Sequence, residues 1–135
     1  MHIKASEGYR SKAYRCAAGK WTCGWGHTKG VTSRTRCGMD TANRWLEEDL
    51  QPIMATLGAI RQIDTQGKAD ACADFCFNLG IQAFLDSTLL KKIRAGATAK
   101  AVQEEFRRWV YANGKRLEGL VKRREWEAKR WGSEN

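Results

Sequence analysis

Hydrophobic positions are spaced differently in residues 1–39 and in the rest of the chain. Residues 13–16 and 20–23 predict two short strands joined by a tight turn, with side chains alternating between the two faces. Residues 31–36 predict a third short strand that is rich in basic side chains. A short helix over residues 3–7, ended by Gly8, precedes the strands. This part of the chain is expected to form a small three-stranded β lobe.

After residue 40 the apolar positions follow the period of an α-helix. A capping residue, Asp40 or Thr41, is expected to begin one long helix that bends at Pro52 and continues through Ile60. Further helices are predicted from Thr65 to Gly80, from Phe84 to Gly96, after Thr98 and over residues 120–131. Because every predicted strand precedes these helices, the sequence indicates an α+β domain in which the long helix joins a β lobe to a larger helical lobe.

The length of 135 residues predicts a single domain, with residues 1–39 mainly in the β lobe and residues 40–135 helical. Hydrophobic residues make up 42% of the chain, so a folded core is expected rather than disorder. No apolar run approaches the roughly 20 residues of a membrane span, and no secretory signal precedes Glu7. We therefore expect neither a stable membrane span nor a signal peptide in this chain.

The net charge of +9 predicts an anionic partner, such as nucleic acid, an acidic membrane or an acidic wall polymer. Glu7 is the only carboxylate within residues 1–39. The same segment carries eight cationic side chains: Lys4, Arg10, Lys12, Arg15, Lys20, Lys29, Arg34 and Arg36. Glu7 ends the first predicted helix, beside a hairpin that carries the thiol of Cys16 and the hydroxyl of Thr22. This combination predicts a catalytic site, although a solvated acid at a helix end would also explain Glu7.

The five cysteines are an odd number and lack the paired C-x-x-C spacing of common metal sites: Cys16, Cys23, Cys37, Cys72 and Cys76. Cys72 and Cys76 lie four residues apart on one face of a predicted helix. We expect them to be small core residues rather than ligands or a disulfide.

Two sequence segments resemble the signature of the phage-type lysozymes, the endolysins of glycoside hydrolase family 24. They are E-G-Y-R-S-K-A-Y, which begins at Glu7, and W-T-C-G-W-G-H-T-K-G-V, which begins at Trp21. In that family a catalytic Glu is followed nine residues later by Asp or Cys, and six residues further by Thr. Those positions are Glu7, Cys16 and Thr22 in this chain. F-N-L-G, S-T-L-L-K-K and L-x-G-L-V-K-R-R-x-x-E in the second half extend the similarity over nearly the whole chain.

The resemblance implies a lysozyme-like fold and a muramidase that acts without metal or cofactor. Its substrate would be the β-1,4 bond between N-acetylmuramic acid and N-acetylglucosamine in bacterial peptidoglycan. The protein is expected to be a monomer that does not bind nucleic acid. The resemblance also implies a phage or prophage product that is made in the host cytoplasm and lyses the host by acting on the periplasmic or extracellular wall.

The family roles can be assigned position by position. Glu7 would be the general acid, and Thr22 would help to hold the hydrolytic water, although threonine is also common in strands. Cys16 stands where many relatives have Asp, and basic neighbours could lower the pKa of its thiol. Three roles for Cys16 remain open: a base or charge stabiliser, a nucleophile, or a packing residue. A disulfide between Cys16 and Cys23 is a further alternative.

Other positions follow from the resemblance alone. His27 and Asp49 would form a structural ion pair, and either Arg123 or Arg124 would approach Glu7. The implied substrate contacts are Thr28, Phe77, Ser87 and Gln103. Each of them also has an ordinary explanation, with Phe77 as a core residue and Ser87 as a helix cap.

Two other functions are compatible with parts of the sequence. Chitinase or transglycosylase chemistry could use the same acid, but a transglycosylase would need no water-holding Thr22. A non-catalytic basic binding module would not depend on Glu7, and its aromatic residues would cluster in a basic groove. The six tryptophans are instead scattered along the predicted elements, as expected of core and interface anchors.

Overall fold

The computed structural model describes residues 2–133, which form two compact units that divide between Gln51 and Pro52. The elements of the first unit are α1 (His2–Glu7), β1 (Arg10–Arg15), β2 (Trp21–Gly24) and α2 (Met39–Gly58), which runs on into the second unit. Those of the second unit are α3 (Gln66–Leu79), α4 (Ile81–Leu85), α5 (Thr88–Arg94), α6 (Ala99–Arg107), β3 (Tyr111–Ala112), β4 (Lys115–Arg116) and α7 (Glu118–Trp131).

The predicted hairpin forms in the first unit. Strands β1 and β2 are antiparallel, with Tyr14 opposite Thr22 and Arg15 opposite Trp21. The register shifts between Arg10 and Tyr14, so the ladder is irregular there. Cys16 follows the end of β1 and lies at the turn rather than within the strand.

The prediction of a third strand over residues 31–36 is wrong. In the described part of the chain this sheet has two strands, and Arg36 makes only an isolated bridge to Lys12. Thr32 and Thr35 explain the difference, because the Thr35 hydroxyl accepts a bond from the Thr32 amide at 2.9 Å. The Thr35 amide in turn donates to the Thr32 carbonyl at 3.1 Å. These local bonds form a turn that competes with strand pairing.

The prediction of one long helix after residue 40 is confirmed. Helix α2 continues through Pro52, whose missing amide removes one donor of the helix ladder. The Thr56 hydroxyl donates to the Pro52 carbonyl at 2.9 Å.

Three predicted N-caps are present in the second unit. The side chains of Thr65, Ser87 and Thr98 each accept a backbone amide in the first turn of a helix. The single helix predicted from Phe84 to Gly96 is wrong, because α4 ends at Leu85 and Ser87 caps the separate helix α5.

A second hairpin, β3–β4, corrects the expectation that every element after residue 40 is helical. Its turn is Asn113-Gly114, where both residues have positive φ, 51° and 76°. Asn-Gly is the pair that two-residue hairpin turns favour, because both residues tolerate this conformation. The α+β class still holds, since the second unit remains mainly helical.

The core of the second unit is centred on Phe75 of α3, which is fully buried. Its ring makes edge contacts with Phe84, Phe106 and Trp109, with centroids 5.2–5.9 Å apart. Cys72 and Cys76 are buried on the same helix, which confirms that they are core residues. None of the helices formed by residues 2–133 has both the length and the apolar character needed to cross a bilayer.

Candidate active site

Glu7 is the last residue of α1 and is half-buried. Its carboxyl group lies directly against the backbone of Gly26, in the turn that follows β2. A β-carbon built on Gly26 would lie 2.8 Å from both Cδ and Oε1 of Glu7. Gly26 also has a φ of 80°, which favours glycine. The segment after β2 can therefore support the Glu7 carboxyl only because residue 26 has no side chain.

Tyr14 connects Glu7 electrostatically with the hairpin. Burial raises the pKa of the Tyr14 phenol, and the negative charge of Glu7 raises it further. The Arg10 guanidinium lies 4.6 Å from the centre of the Tyr14 ring, and its positive charge lowers this pKa. Tyr14 is also the cross-strand partner of Thr22. It is therefore paired with Thr22 and lies within the electrostatic influence of Glu7.

Thr22 is buried, with an exposure of 2%. Its hydroxyl donates to the Lys20 carbonyl at 3.0 Å. By donating to the Cys16 sulfur, the same hydroxyl can lower the pKa of that thiol. Since a hydroxyl has one proton, it can satisfy only one of these acceptors at a time. In this structure the Lys20 carbonyl is the acceptor.

Cys16 lies at the hairpin turn with its sulfur surrounded by donors. Burial by itself would raise the pKa of the thiol. Hydrogen bonds from the Lys20 backbone, the Thr22 hydroxyl, and the backbones of Ala18 and Cys16 outweigh burial, so the pKa is lowered. The turn therefore stabilises a thiolate, and it brings Cys16 and Thr22 together. The basic neighbours expected from the sequence are not the cause of this shift.

His27 and Asp49 are in contact. Nδ1 of His27 lies 2.8 Å from Oδ2 of Asp49, and the imidazole stacks on Trp45 with centroids 4.4 Å apart. Trp45 and Asp49 are four residues apart on α2, so both face the same point of the turn after β2. This arrangement fixes the turn that carries Gly26 against the helix.

The remaining cysteines of the first unit form a pair. Sγ of Cys23 lies 3.4 Å from Sγ of Cys37, and all five cysteines are free thiols. The structure thus gives Cys23 a different neighbour from the Cys16 that the sequence left open. In the described part of the chain, no cluster of three or more His, Cys, Asp or Glu side chains could hold a metal ion.

The predicted substrate contacts lie in different surroundings. Thr28 is exposed, and Phe77 is half-buried on α3. The Ser87 hydroxyl caps α5, donating to the Phe84 carbonyl at 2.6 Å and accepting from the Leu90 amide at 3.0 Å. Gln103 joins α6 to α7 by donating to the Ala128 carbonyl at 2.8 Å. Capping and helix packing explain Ser87 and Gln103, and the four substrate contacts stay predictions.

Arg123 and Arg124 both have partners within the second unit. Arg123 makes two bonds to Asp74, at 3.0 and 3.2 Å. Nε of the fully buried Arg124 lies 2.7 Å from Oε1 of the equally buried Glu127. Burial raises the pKa of Glu127, as does its hydrogen bond with Asp74. These contacts explain why the segment carries two adjacent arginines, and an approach of either one to Glu7 stays a prediction.

Sequence reasoning missed two features of this site. One is the contact between Gly26 and Glu7. The segment G-W-G-H could have indicated it, because its second glycine, Gly26, directly precedes a histidine of the family signature. The proximity of Cys23 and Cys37 had a weaker signal, namely two thiols on either side of a turn-rich segment.

Comparisons with known proteins identify the family of this chain. Residues 4–127 match a protein family that is described as "Phage lysozyme". The chain belongs to the phage lysozyme family. An endolysin of Acyrthosiphon pisum secondary endosymbiont phage 1 is 42% identical over 130 residues, covering 93% of this chain and 88% of the relative. A SAR-endolysin of Escherichia phage Mu is 38% identical over 119 residues, which cover 87% of this chain and 69% of the relative.

Solved structures of the phage lysozyme family and its neighbours share the fold. The muramidase domain of SpmX from Asticaccaulis excentricus has a TM-score of 0.84 and 31% identity, over 97% of this chain and 92% of that one. The active form of P1 phage endolysin Lyz has a TM-score of 0.79 and 25% identity, over 96% of this chain and 79% of that one. The predicted lysozyme-like fold is confirmed, and the chain is a glycoside hydrolase of the lysozyme type, with a role in phage lysis.

Proposed function

We propose that the protein hydrolyses the β-1,4 bond between N-acetylmuramic acid and N-acetylglucosamine in bacterial peptidoglycan. Glu7 is the general acid, and Thr22 and Cys16 assist the attacking water. The observation that carries the proposal is the close contact of Gly26 with the Glu7 carboxyl, in the same unit as the turn that binds the Cys16 sulfur.

The acid must give a proton to the glycosidic oxygen as the bond to the leaving sugar breaks. Glu7 is the only carboxylate within residues 1–39, so no other acid in that segment could take this role. Gly26 holds the carboxyl from one side, so the proton is presented from a fixed position rather than from a mobile surface acid.

The second role in glycoside hydrolysis usually falls to another carboxylate. Here the Cys16 thiolate is the available anion, since donors at the hairpin turn lower the pKa of its thiol. A thiolate at this point can accept a proton from water or stabilise the positive charge that develops on the sugar ring. It could instead attack the sugar directly as a nucleophile. Thr22 serves each of these roles, because its hydroxyl can donate to the sulfur or turn towards a water.

The wider proposal concerns partners and place of action. Peptidoglycan is the one partner we propose, with Thr28, Phe77, Ser87 and Gln103 as substrate contacts. The protein would act as a monomeric single catalytic domain over residues 1–135, without a metal or other cofactor. It would be made in the host cytoplasm as a phage or prophage product, and would act on the periplasmic or extracellular wall.

Digestion of purified peptidoglycan in H₂¹⁸O tests the reaction type. We expect soluble muropeptides whose new reducing end is N-acetylmuramic acid carrying one ¹⁸O atom from water. Anhydro ends without the label would identify a transglycosylase. New reducing ends on N-acetylglucosamine would identify a glucosaminidase, and wall binding without soluble products would identify a binding module. Each of these three results would contradict the proposal.

A further inference from the structure

Two thiols of the first unit are positioned to react with each other. Cys23 belongs to β2 and has no exposed surface, while Cys37 precedes α2 and is half-buried. They are 14 residues apart in sequence, yet their sulfur atoms are 3.4 Å apart. Both thiols point at the same acceptor, the Arg10 carbonyl, at 3.5 and 3.7 Å.

The backbone holds both cysteines in place. Cys23 exchanges two backbone bonds of 2.9 Å with His27, whose side chain is bound to Asp49. The Cys37 amide donates to the Ser11 carbonyl at 2.9 Å, and the Tyr9 hydroxyl donates to the Cys37 carbonyl at 2.9 Å. The sulfurs, 3.4 Å apart, would have to approach by roughly 1.4 Å to reach the bond length of about 2.0 Å.

We propose that Cys23 and Cys37 are a disulfide-forming site that links β2 to the segment before α2 when the enzyme meets a disulfide oxidant. The oxidant is a disulfide of the glutathione or thiol-oxidoreductase class. The thiolate of Cys37, the more exposed of the two, attacks one oxidant sulfur and displaces the other as a thiolate. Cys23 then attacks the mixed disulfide and releases the second oxidant thiolate. In total, two thiols lose two electrons and two protons, and one disulfide is reduced to two thiols.

This site is a cross-link rather than a second reactive centre. Burial, together with the neighbouring Cys23, raises the pKa of Cys37 to about 11, so a thiolate is rare there at neutral pH. Cys16 differs, since the donors of the hairpin turn lower the pKa of its thiol. Pairing Cys23 with Cys37 therefore leaves Cys16 as the free thiol of the first unit.

The consequence concerns the predicted active site. Thr22 directly precedes Cys23, and the loop that the bond would close contains Gly26, His27 and Thr28. The cross-link would thus stabilise the strand and turn that support Glu7. The Cys23–Cys37 disulfide would form during the working life of the enzyme only if the protein acts outside the reducing cytoplasm, and in this respect the inference rests on the proposed function.

Trypsin separates the three thiols of the first unit. Cys16, Cys23 and Cys37 fall in peptides 16–20, 21–29 and 37–44, and Cys72 and Cys76 share peptide 69–91. We would incubate the folded protein with oxidised glutathione, alkylate it in denaturant and map the peptides without reduction. We expect peptides 21–29 and 37–44 to be joined, peptide 69–91 to carry two alkylated cysteines, and Cys16 to be either alkylated or bound to glutathione. A link between peptide 16–20 and another peptide of the protein, or alkylation of both Cys23 and Cys37, would overturn the proposal.

Thermal unfolding supplies the second measurement. The bond closes a loop of about 15 residues, so we expect oxidation to raise Tm by roughly 10 °C. Cys37→Ser should abolish this rise, and Cys16→Ser should retain it. If Cys37→Ser does not fold, the peptide map of the parent protein still decides the question. Neither readout uses catalysis, so a failure here is distinguishable from a failure of the proposed function.

Discussion

A β-carbon added to Gly26 would lie 2.8 Å from Oε1 of Glu7, a separation that real structures essentially never show. Gly26→Ala must therefore displace either the turn after β2 or the carboxyl itself. We expect at least about a 10²-fold loss of kcat on peptidoglycan, since a shift of about 1 Å in a catalytic group has effects of this size. The φ of 80° should also cost about 1–2 kcal/mol of stability.

Gly114→Ala, in the β3–β4 turn of the second unit, is the matched control for this substitution. Gly114 has nearly the same φ, 76°, but nothing lies within 4 Å of the added β-carbon. Both variants should lose similar stability in thermal unfolding, and only Gly26→Ala should lose kcat beyond what unfolding explains. Equal activity losses in the two variants would mean that backbone strain, not the contact with Glu7, matters at residue 26.

Substitutions at Cys16 test whether its charge is needed. Cys16→Ala removes the sulfur that the turn stabilises, so we expect lysis to fall by about 10²–10⁴-fold. Cys16→Asp restores a negative charge and a proton acceptor, and should retain substantial activity. Initial rates of peptidoglycan clearing, measured with variants of matched Tm, check both results. If Cys16→Ala lyses walls as fast as the parent, Cys16 is a packing residue, and Glu7 and Thr22 must suffice.

The pH dependence of thiol alkylation tests the electrostatics of Cys16 directly. The thiolate is the reactive form, so a lowered pKa moves the rise in rate with pH to lower values. Peptide 16–20 should be alkylated with a midpoint lower than that of an ordinary thiol, because the pKa of Cys16 is lowered. Peptide 37–44 should react only at much higher pH, because the pKa of Cys37 is raised to about 11.

Thr22→Val gives this measurement its control, since it removes the hydroxyl while keeping the shape of the side chain. The midpoint for Cys16 should then move upward, because one donor to the sulfur is lost. An unchanged midpoint in a folded Thr22→Val protein would show that the backbone amides alone stabilise the thiolate.

Binding to the anionic wall should depend on residues 1–39 more than on the rest of the chain. Residues 1–39 include eight cationic side chains and one carboxylate, so they supply seven of the nine net charges. We expect Glu7→Gln protein to release peptidoglycan as salt rises, because these charges are screened over about 8–10 Å at physiological ionic strength. Sedimentation of the inactive protein with peptidoglycan at low and high salt measures this.

A charge-matched pair of variants separates the contribution of residues 1–39 from that of the second unit. Lys12 and Arg36 are exposed and lie opposite each other in an isolated bridge, where like charges are unfavourable, so neutralising both should not destabilise the fold. Binding should weaken more with Lys12→Gln/Arg36→Gln than with Lys100→Gln/Lys129→Gln, which removes two exposed cations of the second unit. Equal effects would mean that only the total charge matters.

Local signals explain most of what the sequence predicted correctly. Gly8 ends α1, and Thr65, Ser87 and Thr98 cap helices, because each acts on backbone groups within a few residues. The errors have equally local causes. Side-chain bonds between Thr32 and Thr35 replace the expected third strand, and the Asn113-Gly114 turn supports a hairpin among the helices.

The site was only partly predictable. The family spacing points to Glu7, Cys16 and Thr22, but it does not reveal that Gly26 supports the carboxyl or that backbone amides surround the Cys16 sulfur. The first feature joins residues distant in sequence, in a turn that the contact of His27 with Asp49 holds in place. The second is local, but it depends on the exact shape of the hairpin turn, which the spacing does not give.

In the proposed reaction Glu7 donates the proton in peptidoglycan hydrolysis. The most direct test is the rate at which reducing ends are released from purified peptidoglycan by the parent, Glu7→Gln and Glu47→Gln. Glu47 is an exposed carboxylate on α2 and serves as the control for loss of one negative charge. We expect Glu7→Gln to keep the parent's melting temperature and lose at least about 10²–10⁴-fold in rate, while Glu47→Gln stays near the parent. A folded Glu7→Gln protein that releases reducing ends at the parent's rate would contradict the account.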